Sequence, residues 1–308
     1  MLSVENDIDP RGSVTGVMKN APISGVGDLP VVTYIPESPL RNPAKLVGEM
    51  FADLKQSRGL AWRLFIRDIS ALYRQSVLGY VWAFLPPIAT SAAFMYLNSQ
   101  SIVNVGKTAV PYPAFVMIGT LLWQVFIDAL NAPLRAISNN RAMLSKVNFP
   151  REALILSGVS EVVFNFLIRA VLLVPLFYYF SVPLGPSLRF FPLGVAGLLL
   201  LGLSFGMLLA PIGILYGDIG RSVSLIGGFW MLLTPVVYPA PTHGIGATLA
   251  HLNPVVPVMQ TCRDWLTSQP STHFDGFLFV SLGSFFLLLL GWVFLRLSMP
   301  ILIERMGC

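Results

Sequence analysis

Glu161, Asn165 and Arg169 stand at four-residue steps inside an apolar run, 153–182. That spacing places all three on one face of a helix. A charged side chain at mid-bilayer costs at least about 2.5–3.5 kcal/mol. Such a strip either faces a conduit or a moving helix interface, or is neutralised by neighbouring helices as a stabilising network. Asp128, in the run 113–134, poses the same choice, within snorkelling reach of the cytoplasmic interface. Aromatic residues crowd the same runs, among them Trp123, Phe126, Trp230 and Tyr238. Interfacial belts and lipid packing account for such residues. An aromatic-lined conduit would equally suit sugars, whose C–H faces stack on rings. No catalytic constellation emerges. Gly106-Lys107-Thr108 ends like a phosphate-binding loop, but that loop needs a glycine where Ser101 stands. His243, His251 and His273 share one segment without metal-ligand spacing or a close carboxylate, as scattered surface histidines do. No cofactor or metal is assigned to this chain, and any ATP hydrolysis falls to another polypeptide.

The elements that must position these residues are apolar runs at 79–97, 113–134, 153–182, 190–215, 223–239 and 276–299. A spanning helix needs about 20 mostly apolar residues, because the hydrocarbon core is roughly 30 Å thick and a helix rises about 1.5 Å per residue. The fifth run is short and interrupted by Pro235. The expected fold is an all-α membrane protein with six transmembrane helices. The chain is 55% hydrophobic and 11% charged, against roughly 25% charged in soluble domains.

Sixteen of the 20 lysines and arginines fall on one side of this plan and three on the other, with Arg169 inside a run. The positive-inside rule then puts both termini in the cytoplasm of a multi-pass protein. A net charge of +5 in a soluble protein would point to nucleic acid; here the basic residues form the collar that orientation requires. Residues 1–40 contain no apolar run and so no cleavable signal. Cys262 and Cys308 fall on opposite sides, which precludes a native bridge between them.

Three segments flank or join the runs. Residues 1–40, rich in Gly, Pro, Ser and Asp, are expected to be a flexible cytoplasmic tail. Residues 41–78 carry Trp62, Phe65, Ile66, Ile69 and Tyr73 at helical spacing, with Arg63, Arg67, Asp68 and Arg74 between them. An amphipathic helix with aromatic anchors and a basic face belongs at the cytoplasmic interface; an ordinary soluble helix packed on a partner is the alternative. The connection 135–150 offers Ser138, Asn139 and Asn140 as caps and Pro150 as a stop, hence a short cytoplasmic helix. The segment 240–275 is too polar to span and too apolar for a plain loop, and is expected to form short helices on or dipping into the outer face.

Particular strings then stand out. Residues 67–82 read RDISALYRQSVLGYVW and lead to Pro86-Pro87; Trp123-Gln124, Lys146-Val-Asn-Phe-Pro-Arg-Glu152, Tyr216-Gly217-Asp218-Ile219, Thr234-Pro235-Val236-Val237-Tyr238-Pro239, Asn253-Pro254 and Arg263 follow in order. Together, from about residue 43 onward, these resemble the permease subunits of ABC polysaccharide exporters, the family of O-antigen, capsule and teichoic acid transporters. Two departures are Tyr-Gly-Asp, where the family often has Tyr-Arg-Asp, and a longer N-terminal tail.

The resemblance implies half of a homodimeric channel in a two-plus-two complex with a separate ATP-binding cassette ATPase, which would bind ATP and Mg. The residues 79–308 would be the permease domain of a bacterial inner-membrane protein. Asn139, Arg141, Met143, Leu144 and Lys146 would couple to the ATPase, and Trp62, Phe65, Arg67, Asp68, Tyr73 and Arg74 would mark the interface helix. Trp123, Phe126, Glu161, Asn165, Arg169, Trp230 and Tyr238 are the candidate conduit. The substrate would be a lipid-linked polysaccharide moved to the outer face. A drug- or lipid-exporting ABC permease is the alternative within the fold. A membrane-embedded enzyme acting on lipid-linked sugars would need a catalytic His, Asp or Glu set near one membrane face, and the rare charged residues here do not cluster so.

Overall fold

The computed structural model describes residues 43–74, 81–100, 106, 108–144, 150–241 and 243–306. The tail 1–40 and Lys146 lie outside them. Regular structure among the described residues is all helix, with no strand. Two helices, α1 (Pro43–Gln56) and α2 (Arg58–Arg74), occupy the segment expected to hold one amphipathic helix. They meet at Ser57, whose Oγ donates to the Asp53 carbonyl at 2.6 Å. Backbone bonds also run through the junction, from the Ser57 N–H to Asp53 and from the Ala61 N–H to Ser57, both at 2.8 Å. Tyr73 and Arg74 close α2; their side chains lie outside the described residues.

Helices α3 (Val81–Ser99) and α4 (Tyr112–Asn139) follow, then the single turn α5 (Arg141–Leu144), α6 (Glu152–Ala170) and α7 (Leu173–Phe180). A 3₁₀ turn at Pro186–Phe190 leads into α8 (Phe191–Leu215). After α9 (Asp218–Leu233) come α10 (Gly244–Leu252), α11 (Val255–Leu266) and the long α12 (Phe274–Met306).

Four helical stretches among the described residues are long and apolar enough to cross a membrane: Tyr112–Asn139, Glu152–Phe180, Pro186–Leu215 and Phe274–Pro300. They correspond to the second, third, fourth and sixth apolar runs. The first run is the 19-residue α3, carrying Pro86 and Pro87. The fifth is the 16-residue α9, about 24 Å long at 1.5 Å per residue. It stops at Leu233, two residues before Pro235, because the ring excludes the helical conformation from the residue ahead of it.

Burial separates centre from periphery. In α4, 78% of the apolar window is buried, against 17% in Glu152–Phe180 and in α12. The outer helices therefore present apolar side chains such as Tyr178, Tyr179 and Phe279 outward, as lipid-facing surfaces do. α4 and α8 meet backbone to backbone: a Cβ on Gly202 would fall 2.6 Å from the Phe126 carbonyl oxygen, and one on Gly206 2.4 Å from that of Leu130. Small residues one turn apart let membrane helices approach this closely, where dispersion supplies the attraction.

Candidate functional site

Three polar nodes interrupt this apolar packing, and each ties elements that are remote in sequence. The first joins α2 to the α4–α5 junction. Arg67 donates from Nε to Asp68 at 2.8 Å and from its terminal nitrogen to Asn140 Oδ1 at 2.6 Å. Asn140 in turn donates to the Ala136 carbonyl at 2.8 Å, and its own carbonyl accepts from the amides of Met143 and Leu144. Ala61 and Leu64 of α2 pack with Leu134, Ile137 and Leu144 beneath it. The candidate coupling turn is thus bolted to the amphipathic segment. Phe65 is buried against Phe164 at 5.8 Å, whereas Trp62 is 62% exposed.

The expected coupling residues separate accordingly. Asn139 is exposed and Met143 half-buried, but Leu144 turns inward with 5% exposure. Arg141 donates to the Ile214 carbonyl at the end of α8, at 2.9 Å. Nearby, Arg296 of α12 reaches Asp53 of α1 at 2.8 Å and buried Glu152 of α6 at 3.0 Å.

The second node lies within the spans. Arg169 bonds Asp128 at 2.5 Å, with both side chains about nine-tenths buried, and its Nε donates to the Ala83 carbonyl of α3 at 3.2 Å. Four residues beyond Ala83 stands Pro87, which has no N–H, so that carbonyl lacks its ordinary helical donor. Arg169 supplies the missing bond and so ties α3, α4 and α6 together. Arg135 stands 3.8 Å from the other Asp128 oxygen. Asn165 is buried on the same face of α6, and Glu161 is half-buried.

Of the third node, only Trp230 was among the expected site residues. After α9, residues 234–237 run buried and non-helical. Irregular backbone at membrane depth survives only where protein satisfies it. Arg263 of α11, 6% exposed, donates to the carbonyls of Val236 at 2.7 Å and Pro235 at 3.4 Å. Its guanidinium lies 3.9 Å from the centroid of the Phe115 ring. Asn253 donates to Thr234 Oγ1 at 2.8 Å and accepts from the Trp230 indole N–H at 3.2 Å. Gly119 leaves the room: a Cβ there would sit 2.1 Å from the Val236 oxygen and 2.4 Å from Arg263. The available signal was a lone arginine in an apolar helix and the Asn-Pro pair before it. Burial lowers the Arg263 pKa to about 10, and the group stays charged at neutral pH.

Next to it, burial raises the Asp264 carboxyl from 3.8 to about 6, against the opposing pull of Arg263 and the Thr272 backbone. A folded-state pKa above the unfolded value stabilises the fold below pH 3.8 and loses that effect as pH rises through about 6. Asp264→Asn, which imitates the neutral carboxyl, is therefore expected to raise the melting temperature at pH 7.5 more than at pH 5. Equal shifts at both pH values in thermal melts would count against this.

The aromatic candidates form one knot. Phe126 is fully buried and Trp123 5% exposed, with the Trp230 ring 5.2 Å and 6.3 Å from them. Tyr238, half-buried, donates its hydroxyl to the Leu232 carbonyl at 2.8 Å. Within one chain Trp123 and Phe126 pack against protein, and the half-buried faces belong to Trp230 and Tyr238.

The model of the ABC-2 type transporter family matches residues 59–267. The O-antigen export system permease protein RfbA of Myxococcus xanthus is 32% identical over 218 residues, covering 67% of this chain and 80% of the relative. A protein of the same name from Klebsiella pneumoniae is 25% identical over 195 residues, covering 61% and 74%. Another from that organism is 22% identical over 197 residues with the same coverage. The family match takes in the Arg67–Asn140 link, the Asp128–Arg169 pair and the Arg263 clamp alike, and the chain belongs to the ABC-2 type transporter family as a multi-pass membrane permease.

Proposed function

We propose that this chain is the channel-forming subunit of an ATP-driven exporter that moves a lipid-linked, O-antigen-like polysaccharide from the cytoplasmic to the outer face of a bacterial inner membrane. The alignment with O-antigen export permeases, over 80% of the Myxococcus xanthus protein, carries the reading. In this reading α3 and α9 complete six spans, both termini are cytoplasmic, and two copies pair with two ATPase subunits that bind ATP and Mg. Residues 1–40 are the cytoplasmic tail, 41–78 the interface segment and 79–308 the permease domain. Trp62, exposed beside the basic residues of α2, suits the headgroup layer. Asn139 and Met143 face the ATPase; Lys146, also a candidate, lies outside the described residues. Leu144 and the Arg67–Asn140 bond carry the motion into α2. Trp230 and Tyr238, with Glu161, border the conduit; Trp123 and Phe126 back its wall, and Asn165 and Arg169 brace it.

Reconstituted with its ATPase, the wild-type chain is expected to move lipid-linked glycan into vesicles only when ATP is present. Met143→Asp is expected to reduce that flux at least tenfold while the folded chain persists in the membrane. Flux of unrelated drugs or bare lipids in place of the glycan would overturn the substrate, and undiminished flux in Met143→Asp would overturn the coupling role.

A further inference from the structure

A cavity of about 450 Å³ opens between the end of α4, the end of α8 and the start of α9. Its lining includes Asn131, Arg135, Ser138, Arg141, Gly217 and Ser224, and no carboxylate. Two acids flank it: Asp128 is engaged by Arg169 at 2.5 Å and stands 3.8 Å from Arg135, and Asp218, next to Gly217, lies 3.8 Å from Arg221, so Arg135 and Arg141 leave the cavity an excess of positive charge. Arg141 contributes one nitrogen to the Ile214 carbonyl, which fixes its guanidinium at the α8 end. Asn131 lies eight residues before the last residue of α4, which puts the floor roughly 12 Å inside a spanning helix. Ile212 and Leu215 on α8, and Leu225 and Ile226 on α9, next to lining residues in sequence, are exposed apolar side chains. A cationic, hydroxyl- and amide-lined hollow bordered by apolar helix surface is complementary to an amphiphile with an anionic head. Guanidinium groups pair with phosphate oxygens through charge-assisted hydrogen bonds. An acidic side chain of a soluble partner would need only the mouth of the cavity, and the apolar border would serve it no purpose.

We propose that this cavity seats the phosphate of an anionic membrane lipid, with the lipid chains lying along the exposed apolar sides of α8 and α9. The proposal rests on the membrane placement of α4 and α8 and not on which polymer is carried.

The test uses the full chain purified in detergent, with lipid retention read by native mass spectrometry. The probes are phosphatidylglycerol, a polyprenyl diphosphate and zwitterionic phosphatidylcholine. Arg135→Gln with Arg141→Gln removes the charge. Gly217→Leu fills the mouth without altering charge; Gly217 has φ −58° and open space where a Cβ would stand, so the backbone accepts the side chain. Each variant is expected to retain the anionic probes about tenfold less well than wild type, the arginine pair through lost charged hydrogen bonds and Gly217→Leu through occupied volume. Retention of phosphatidylcholine is expected to stay unchanged. Preference for the diphosphate probe would identify a carrier-type headgroup, and equal retention of both anionic probes a bulk phospholipid; either supports the site. Undiminished retention of both anionic probes in the variants overturns it. So does loss of the co-purifying ATPase with lipid retention intact, which would assign the cavity to partner docking. Because no transport is measured, failure here is separable from failure of the export assay.

Discussion

Arg263→Met is expected to lower the stability of the folded chain by about 3–5 kcal/mol, because it strands two buried carbonyls and removes a cation–π contact. The methionine keeps the bulk of the side chain but leaves the carbonyls of Pro235 and Val236 without their donor. Each buried carbonyl left unsatisfied costs about 1–3 kcal/mol. Loss of the cation over the Phe115 ring adds roughly 0.5–2 kcal/mol. Arg263→Lys, with a single compact head in place of a fork, should fall between wild type and Arg263→Met. Gly119→Ala attacks the same clamp from the other side, since its methyl would overlap the Val236 oxygen. Thermal unfolding followed by fluorescence-detected size exclusion measures all three. A melting temperature for Arg263→Met indistinguishable from wild type would mean that residues 234–237 hold themselves in place.

The Asp128–Arg169 pair should give an effect of similar size with a different signature. Asp128→Ala leaves a guanidinium buried between α3, α4 and α6 without its carboxylate, a change expected to cost about 3–5 kcal/mol. Asp128→Ala combined with Arg169→Met removes both charges, and should recover much of that loss. The Ala83 carbonyl then remains unpaired beside Pro87, so recovery should be incomplete. Pairing Asp128→Ala with Phe279→Ala, on the exposed side of α12, should instead be additive. If the double charge variant is no more stable than Asp128→Ala, the two residues are not coupled, and the role of Arg169 reduces to its bond with α3.

Helical class, membrane placement and the approximate limits of the longest spans were legible in the residues themselves. Runs such as 113–134 and 190–215 are apolar on every side, and hydrocarbon requires a helix to satisfy its own backbone, so composition and length suffice to locate them. The short helices within 240–275 followed from the same logic of polarity too great for a span and too small for a loop. The partners of polar side chains were less legible. Glu161, Asn165 and Arg169 were placed on one helix face by their spacing, but which neighbour answers a charge depends on three helices meeting. Asp128 lies 41 residues from Arg169 and Ala83 lies 86 away, separations on which no periodicity bears. Leu144 beside Met143 looked equally available to a partner, and only the position of α2 shows that one faces inward.

By itself, then, the order of residues determined which long segments are apolar enough to cross a membrane, which carry amphipathic faces, and to which family their motifs belong, because these follow from local composition and spacing. Tertiary structure alone decided that Arg263 clamps the broken end of α9, that Arg67 binds the α4–α5 junction through Asn140, and that Arg135 and Arg141 share one cavity. Those outcomes depend on hydrogen bonds and charges whose energies fall off within a few ångströms, and only the packing of α4 against α8, α6 and α11 brings such distant residues that close.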